Sequence, residues 1–95
     1  MTAPTAAAGV LDRAYDLNPR VSVRPESFGA LLYHFGTRRL SFLKDRRLLE
    51  VVRLLPDAAT AREACLAAGL AEAELPTYAR ALAQLAATDM IQERA

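Results

Sequence analysis

The apolar residues of this chain change their spacing near residue 44, and that change limits the fold more than any other feature. Through residues 21–43 apolar and polar residues tend to alternate, with Pro25, Gly29 and Gly36 as breaks. Beyond residue 44 the apolar residues return every three or four positions, to about residue 87. Strands are therefore expected first and helices last, the pattern of an α+β fold rather than of repeated βαβ units. Val21-Ser22-Val23-Arg24 before Pro25 predicts a short edge or first strand, because proline cannot donate to a ladder. Ala30 to Phe35 and Arg38 to Leu43 flank Gly36-Thr37 and predict a hairpin.

Read as a two-residue type II′ turn, Gly36-Thr37 pairs Phe35 with Arg38, Tyr33 with Leu40 and Leu31 with Phe42. A three-residue loop would slip the pairing by one and scatter the apolar set over both faces. The two-residue register gathers Leu31, Tyr33, Leu40 and Phe42 on one face. It leaves Leu32, His34, Arg39 and Ser41 on the other, which is half polar and expected near solvent.

Three helices are expected after the hairpin. Asp45 caps the first, with Leu48, Leu49, Val51, Val52 and Leu55 as its apolar positions and Pro56 as its end. Thr60-Ala61-Arg62-Glu63 fits a capping box for the second, which carries Ala61, Ala64, Cys65 and Ala68 and closes at Gly69. The third runs from about Glu72 to Ala87 with Pro76 in or near its first turn. Its large apolar stripe is Leu75, Tyr78, Leu82 and Leu85, and Ala79, Ala83 and Ala86 line the neighbouring stripe. Residues 1–19 lack a sustained period and read as a flexible arm with at most one helical turn around 10–17. Residues 20–95 read as a single domain, with Met90-Ile91 folding back as a short extended tail.

Composition narrows the chemistry. Of the 95 residues, 53% are hydrophobic, but 20 are alanine and 15 leucine, enough for one modest core. No run of 18 apolar residues exists to span a bilayer, and no basic segment precedes an apolar one near residue 1, so a cytoplasmic chain is expected, with no membrane partner. The single Cys65 has no internal disulfide partner, and with the single His34 the chain falls short of a structural zinc set. Cys65 reads as a small core residue and His34 as a structural one. No glycine-rich loop precedes a helix to cradle phosphate. Neither catalysis nor a cofactor is expected.

The net charge of +1 hides an asymmetry. Residues 38–53 carry Arg38, Arg39, Lys44, Arg46, Arg47 and Arg53 against Asp45 and Glu50, whereas residues 54–95 carry an excess of carboxylates. Such runs usually keep a surface wet. Strands followed by three helices also suit a winged helix-turn-helix that binds nucleic acid. The helix that would read bases offers only Arg80 and Gln84, however, and opens on Glu72 and Glu74, which oppose phosphate. Peptide binding uses the same parts better, because the last strand of a meander has an unpaired edge that can accept an extended chain.

The residues from Val21 to Lys44, and above all Tyr33-His34-Phe35-Gly36-Thr37-Arg38-Arg39-Leu40-Ser41-Phe42-Leu43-Lys44, resemble the mycofactocin precursor-binding chaperone family. Leu48-Leu49-Glu50-Val51-Val52 and Pro76-Thr77-Tyr78-Ala79-Arg80-Ala81-Leu82 match as well, so the resemblance spans about residues 17–91. It implies the fold called a RiPP recognition element, similar to the peptide chaperone of pyrroloquinoline quinone synthesis. It also implies two partners: a ribosomally made precursor peptide, bound through its acidic leader, and a radical S-adenosylmethionine maturase that performs the chemistry. In similar proteins the leader pairs with the third strand and lies against the third helix, here residues 39–43 and 72–87. The peptide-binding residues then expected are Arg38, Arg39, Leu40, Ser41, Phe42 and Leu43 along the strand, Arg46 and Arg47 beside it, and Ala79, Leu82, Ala83 and Ala86 on the helix. The basic segment would help to capture the acidic leader.

Overall fold

In the computed structural model, which describes residues 9–94, two small sheets and three helices enclose one core. Strands β2 (Val21–Glu26), β3 (Gly29–His34) and β4 (Leu40–Leu43) form an antiparallel meander in the order β2-β3-β4. Helices α1 (Arg46–Leu54), α2 (Ala61–Ala67) and α3 (Leu75–Ala87) follow. A second sheet pairs β1 (Tyr15–Leu17) with β5 (Ile91–Glu93). The α+β expectation, strands first and three helices after, is met.

The helix signals act as their chemistry requires. Asp45 Oδ1 accepts from the Arg47 amide at 2.8 Å and caps α1, a contact worth about 1 kcal/mol. Leu48, Leu49, Val51 and Val52 of α1 are buried, and Leu55 with Pro56 opens a short 3-10 turn that ends the helix. Thr60 Oγ1 accepts from the Glu63 amide at 3.3 Å, and Gly69, at φ 92°, closes α2. Cys65 is fully buried. A 3-10 turn at Glu72–Glu74 leads into α3, whose first turn holds Pro76.

The hairpin keeps the expected register with a different turn. Tyr33 pairs with Leu40 and Leu31 with Phe42. The loop, however, is Phe35 to Arg38: the His34 amide donates to the Arg39 carbonyl at 2.9 Å, and the Arg38 amide donates to the His34 carbonyl at 2.7 Å. The positive φ sits on Arg38 at 64°, not on Gly36. Two-residue and four-residue loops preserve the same pairing, so the register survived the wrong turn type. Gly36 is needed for space instead, because a Cβ there would lie 2.8 Å from the His34 ring. That ring is buried, and its Nδ1 accepts from the Gly36 and Thr37 amides at 2.9 and 3.1 Å, which pins the turn.

The faces of the hairpin are the reverse of expectation. Ala30, Leu32, His34 and Leu43 are buried, whereas Leu40 and Phe42 are 59% and 58% exposed and Leu31 and Tyr33 half-buried. The physical reason lies in β2. Val21 stands opposite His34 and Val23 opposite Leu32, while Ser22 and Arg24 stand opposite Tyr33 and Leu31. Strand β3 is apolar on both faces, so the clear alternation of β2 decides which side turns to the helices.

Residues 10–17, read from the sequence as part of an arm, are instead built into the domain. Val10–Asp12 forms a 3-10 turn, and Val10, Leu11 and Tyr15 are buried. Leu17 pairs with Ile91 and Tyr15 with Glu93, so the tail beyond Met90 folds back as expected, but onto a strand of its own. The remainder of that arm, residues 1–8, lies outside the described residues. Among the described residues, no helix is long and apolar enough to cross a membrane.

Candidate functional site

Among the described residues strand β4 has one neighbour, β3, so its other edge is free. Ladder alternation assigns that edge atom by atom. The His34 amide donates to the Arg39 carbonyl just before β4, and the Phe35 amide, just past β3, donates to the Arg20 carbonyl just before β2 at 2.8 Å, so alternate residues along β3 serve opposite neighbours. Opposite Leu32 and Ala30, Ser41 and Leu43 spend their backbone groups inside the sheet. Leu40 and Phe42 form the non-bonded pairs, and their N–H and C=O groups point to the free edge.

Beside this edge runs a shallow groove of about 310 Å³, lined by Phe42, Lys44, Asp45 and Leu48 on one side and Thr77, Tyr78 and Ala81 of α3 on the other. Its walls are fixed by a polar clasp. The Tyr78 hydroxyl donates to Asp45 Oδ2, whose other oxygen caps α1. Burial first, and then the hydrogen bond to Asp45, push the Tyr78 phenol up from 10.0 to about 12. Arg47 Nη1 lies 3.2 Å from both carboxylate oxygens of Glu74, and Glu74 also accepts from the Ala71 amide at 2.9 Å. The acidic groups nearest the groove are thus engaged. Arg38, Arg39, Lys44 and Arg46 around β4 are exposed and have no ion-pair partner among the described residues.

The residues expected at the peptide divide into three groups. Leu40 and Phe42 present edge backbone, and Arg38, Arg39 and Arg46 stand exposed near it. Ser41 and Leu43 are committed to the fold through their backbone, Leu43 is buried at 1% exposure, and Arg47 is held by Glu74. On α3, Ala79 and Leu82 are core residues at 3% and 0%. Ala83 and Ala86 line a different hollow, of about 440 Å³, against Gly9, Val10, Arg13 and Tyr15. The α3 stripe that faces β4 is Thr77, Tyr78 and Ala81, which the sequence reading did not nominate. Its signal was available: Tyr78 and Ala81 are one turn apart on the flank of the buried Leu75, Ala79 and Leu82 stripe.

A free strand edge next to an apolar groove between a strand and a helix is geometry suited to an extended peptide. The family model described as the peptide chaperone MftB family matches residues 14–92. The chain belongs to this family. Its relatives include the peptide chaperone MftB of Mycobacterium tuberculosis (strain ATCC 25618 / H37Rv), 52% identical over 87% of this chain and 76% of that one. The peptide chaperones MftB of Mycobacterium ulcerans (strain Agy99) and Mycolicibacterium smegmatis (strain ATCC 700084 / mc(2)155) are 53% and 51% identical, over 90% and 84% of this chain and 81% and 78% of theirs. No solved structure matches the chain. Membership in this family supports a peptide-binding chaperone role, and no comparison favours the nucleic-acid reading. Cys65 takes no part in the site: burial pushes its thiol up, which keeps it protonated and unreactive.

Proposed function

We propose that this chain binds the leader of the mycofactocin precursor peptide as an added strand along β4 and presents the peptide's C-terminal core to a radical S-adenosylmethionine maturase, without catalysing a reaction itself. The observation that carries this reading is the outward-pointing backbone of Leu40 and Phe42 beside the groove floored by Leu48, Tyr78 and Ala81. Backbone bonds to the edge give affinity for any extended chain, and the groove selects its side chains. Lys44, Arg46, Arg38 and Arg39 then favour an acidic leader and speed its encounter. A cytoplasmic location, where a ribosomal product is first available, belongs to the same reading.

Isothermal titration with the synthetic precursor tests it. Wild-type protein is expected to bind, and Ala81→Glu, which fills the groove with a like charge for an acidic leader, is expected to lose at least about tenfold in affinity while keeping its circular dichroism. Equal affinity in the folded variant would move the peptide elsewhere. In the same reading, protein and precursor incubated with S-adenosylmethionine and reductant, without maturase, leave the peptide mass unchanged; a lost carboxyl group would contradict the absence of catalysis.

A further inference from the structure

The reversed hairpin leaves an apolar surface that the groove does not use. Phe35, Leu40, Phe42 and Phe28 are 65%, 59%, 58% and 46% exposed, and Leu31 and Tyr33 lie between them on the outward side of the meander. The rings are organised: Tyr33 and Phe35 meet edge to face at 5.0 Å, and Phe28 and Phe42 lie 6.2 Å apart. With roughly 150–250 Å² on each aromatic side chain, the exposed part amounts to about 400 Å². The largest apolar patch on a monomer is of this order, and such a patch is often functional. It is also about half of what one side of a standard protein interface buries, the share expected of an apolar centre within a polar rim.

The rim is basic. Arg24 stands opposite Leu31, Arg20 stands opposite Phe35, whose amide donates to the Arg20 carbonyl, and Arg38 closes the hairpin end. Glu26 is the one carboxylate among these strand residues, and it is already paired with Arg24 at 3.0 Å. Two copies stacked face to face would oppose these arginines, which disfavours self-association. An extended peptide, in turn, is served by a strand edge or a groove, whereas this surface is a broad sheet face. What fits it is a folded protein with an apolar patch edged by carboxylates.

We infer that this outward face docks the modifying enzyme, a folded partner with an acidic rim, while β4 and α3 hold the peptide; the inference rests on the function proposed above. Phe42 borders both surfaces, which puts bound peptide and docked enzyme side by side on one small domain.

The test titrates wild-type, Phe35→Ser and Arg24→Glu proteins separately with the synthetic leader and with the purified maturase. Neither substituted residue lines the groove. Phe35→Ser is expected to weaken the enzyme at least about tenfold, as loss of a central aromatic anchor does. Arg24→Glu is expected to slow enzyme association and change its salt dependence. Both variants are expected to bind leader like the wild type, with unchanged circular dichroism. Wild-type affinity for the enzyme in both folded variants would overturn the inference, as would a parallel loss of leader binding in either one. A wild-type dimer in sedimentation that Phe35→Ser dissolves would assign the face to a second copy and overturn it too. Wild-type protein that binds leader but not enzyme overturns the inference and leaves the peptide site standing. Binding of the enzyme but no leader would instead overturn the peptide reading.

Discussion

Leu40→Pro removes one backbone N–H that the fold does not use. Leu40 opens β4, its side chain is 59% exposed, and its pairing with Tyr33 is of the non-bonded kind, so its amide points away from β3. Proline is tolerated at the first residue of an edge strand, and the folded state is expected to lose less than about 1 kcal/mol. A bound leader, by contrast, would lose a hydrogen bond and keep a desolvated carbonyl without a donor. That combination costs about 1–2 kcal/mol, which is roughly a 5-fold to 30-fold rise in Kd. Leu40→Ala controls for the side chain and is expected to bind within about twofold of wild type, because that side chain faces away from the groove. Isothermal titration of the three proteins with one synthetic leader, each checked by thermal melting, measures the difference. Equal affinity of the proline and alanine variants, both folded, would refute the edge assignment. Ser41 would be the wrong place for this experiment, since its amide serves β3 and a proline there would attack the sheet itself.

Arg46→Gln is expected to slow leader association and flatten its salt dependence in stopped-flow binding, because Arg46 is an exposed cation, without an ion-pair partner among the described residues, whose reach is screened beyond about 8–10 Å in ordinary buffer. Arg47→Gln should act mainly on stability, by at most about 1 kcal/mol, through the exposed link to Glu74. Because the fold raises the Tyr78 phenol to about 12, it favours the neutral form; the contribution holds below the ordinary value of 10.0 and is lost as pH rises toward about 12. Denaturant titrations should show a fall in wild-type stability across that window that is smaller in Tyr78→Phe, and parallel curves would contradict this. Gly29→Ala should lower the melting temperature by more than about 10 °C, because φ is 152° and a Cβ would stand 1.9 Å from the Leu43 carbonyl oxygen; an unchanged melt would show that the β3–β4 junction can give way.

The helices were legible because their signals are local. The Asp45 and Thr60 caps, Gly69 and Pro76 each act within one turn of the residues they specify. The hairpin register was legible for a similar reason, since any even loop between His34 and Arg39 preserves it. Its facing was not, because β3 carries large apolar residues on both sides and only its partner β2 breaks the tie. β1 was hidden more deeply: three residues with no period of their own become a strand through partners at Ile91 to Glu93, and pairing at that separation leaves no mark in a local window. At the site, a groove does lie between the strand and the helix to which the resemblance pointed. Which α3 residues line that groove was not legible, because alanine suits a packed stripe and an open one equally, and Ala79, Ala83 and Ala86 turned to the core and the far flank.

Amide hydrogen exchange across β4, with and without the synthetic leader, tests the central claim most directly. In the free protein the Ser41 and Leu43 amides should already be protected by β3, and those of Leu40 and Phe42 should exchange quickly. Saturating leader should slow Leu40 and Phe42 selectively, as a new strand takes up their N–H groups. Tight leader binding that leaves both amides exchanging at their free rates would contradict strand addition at β4.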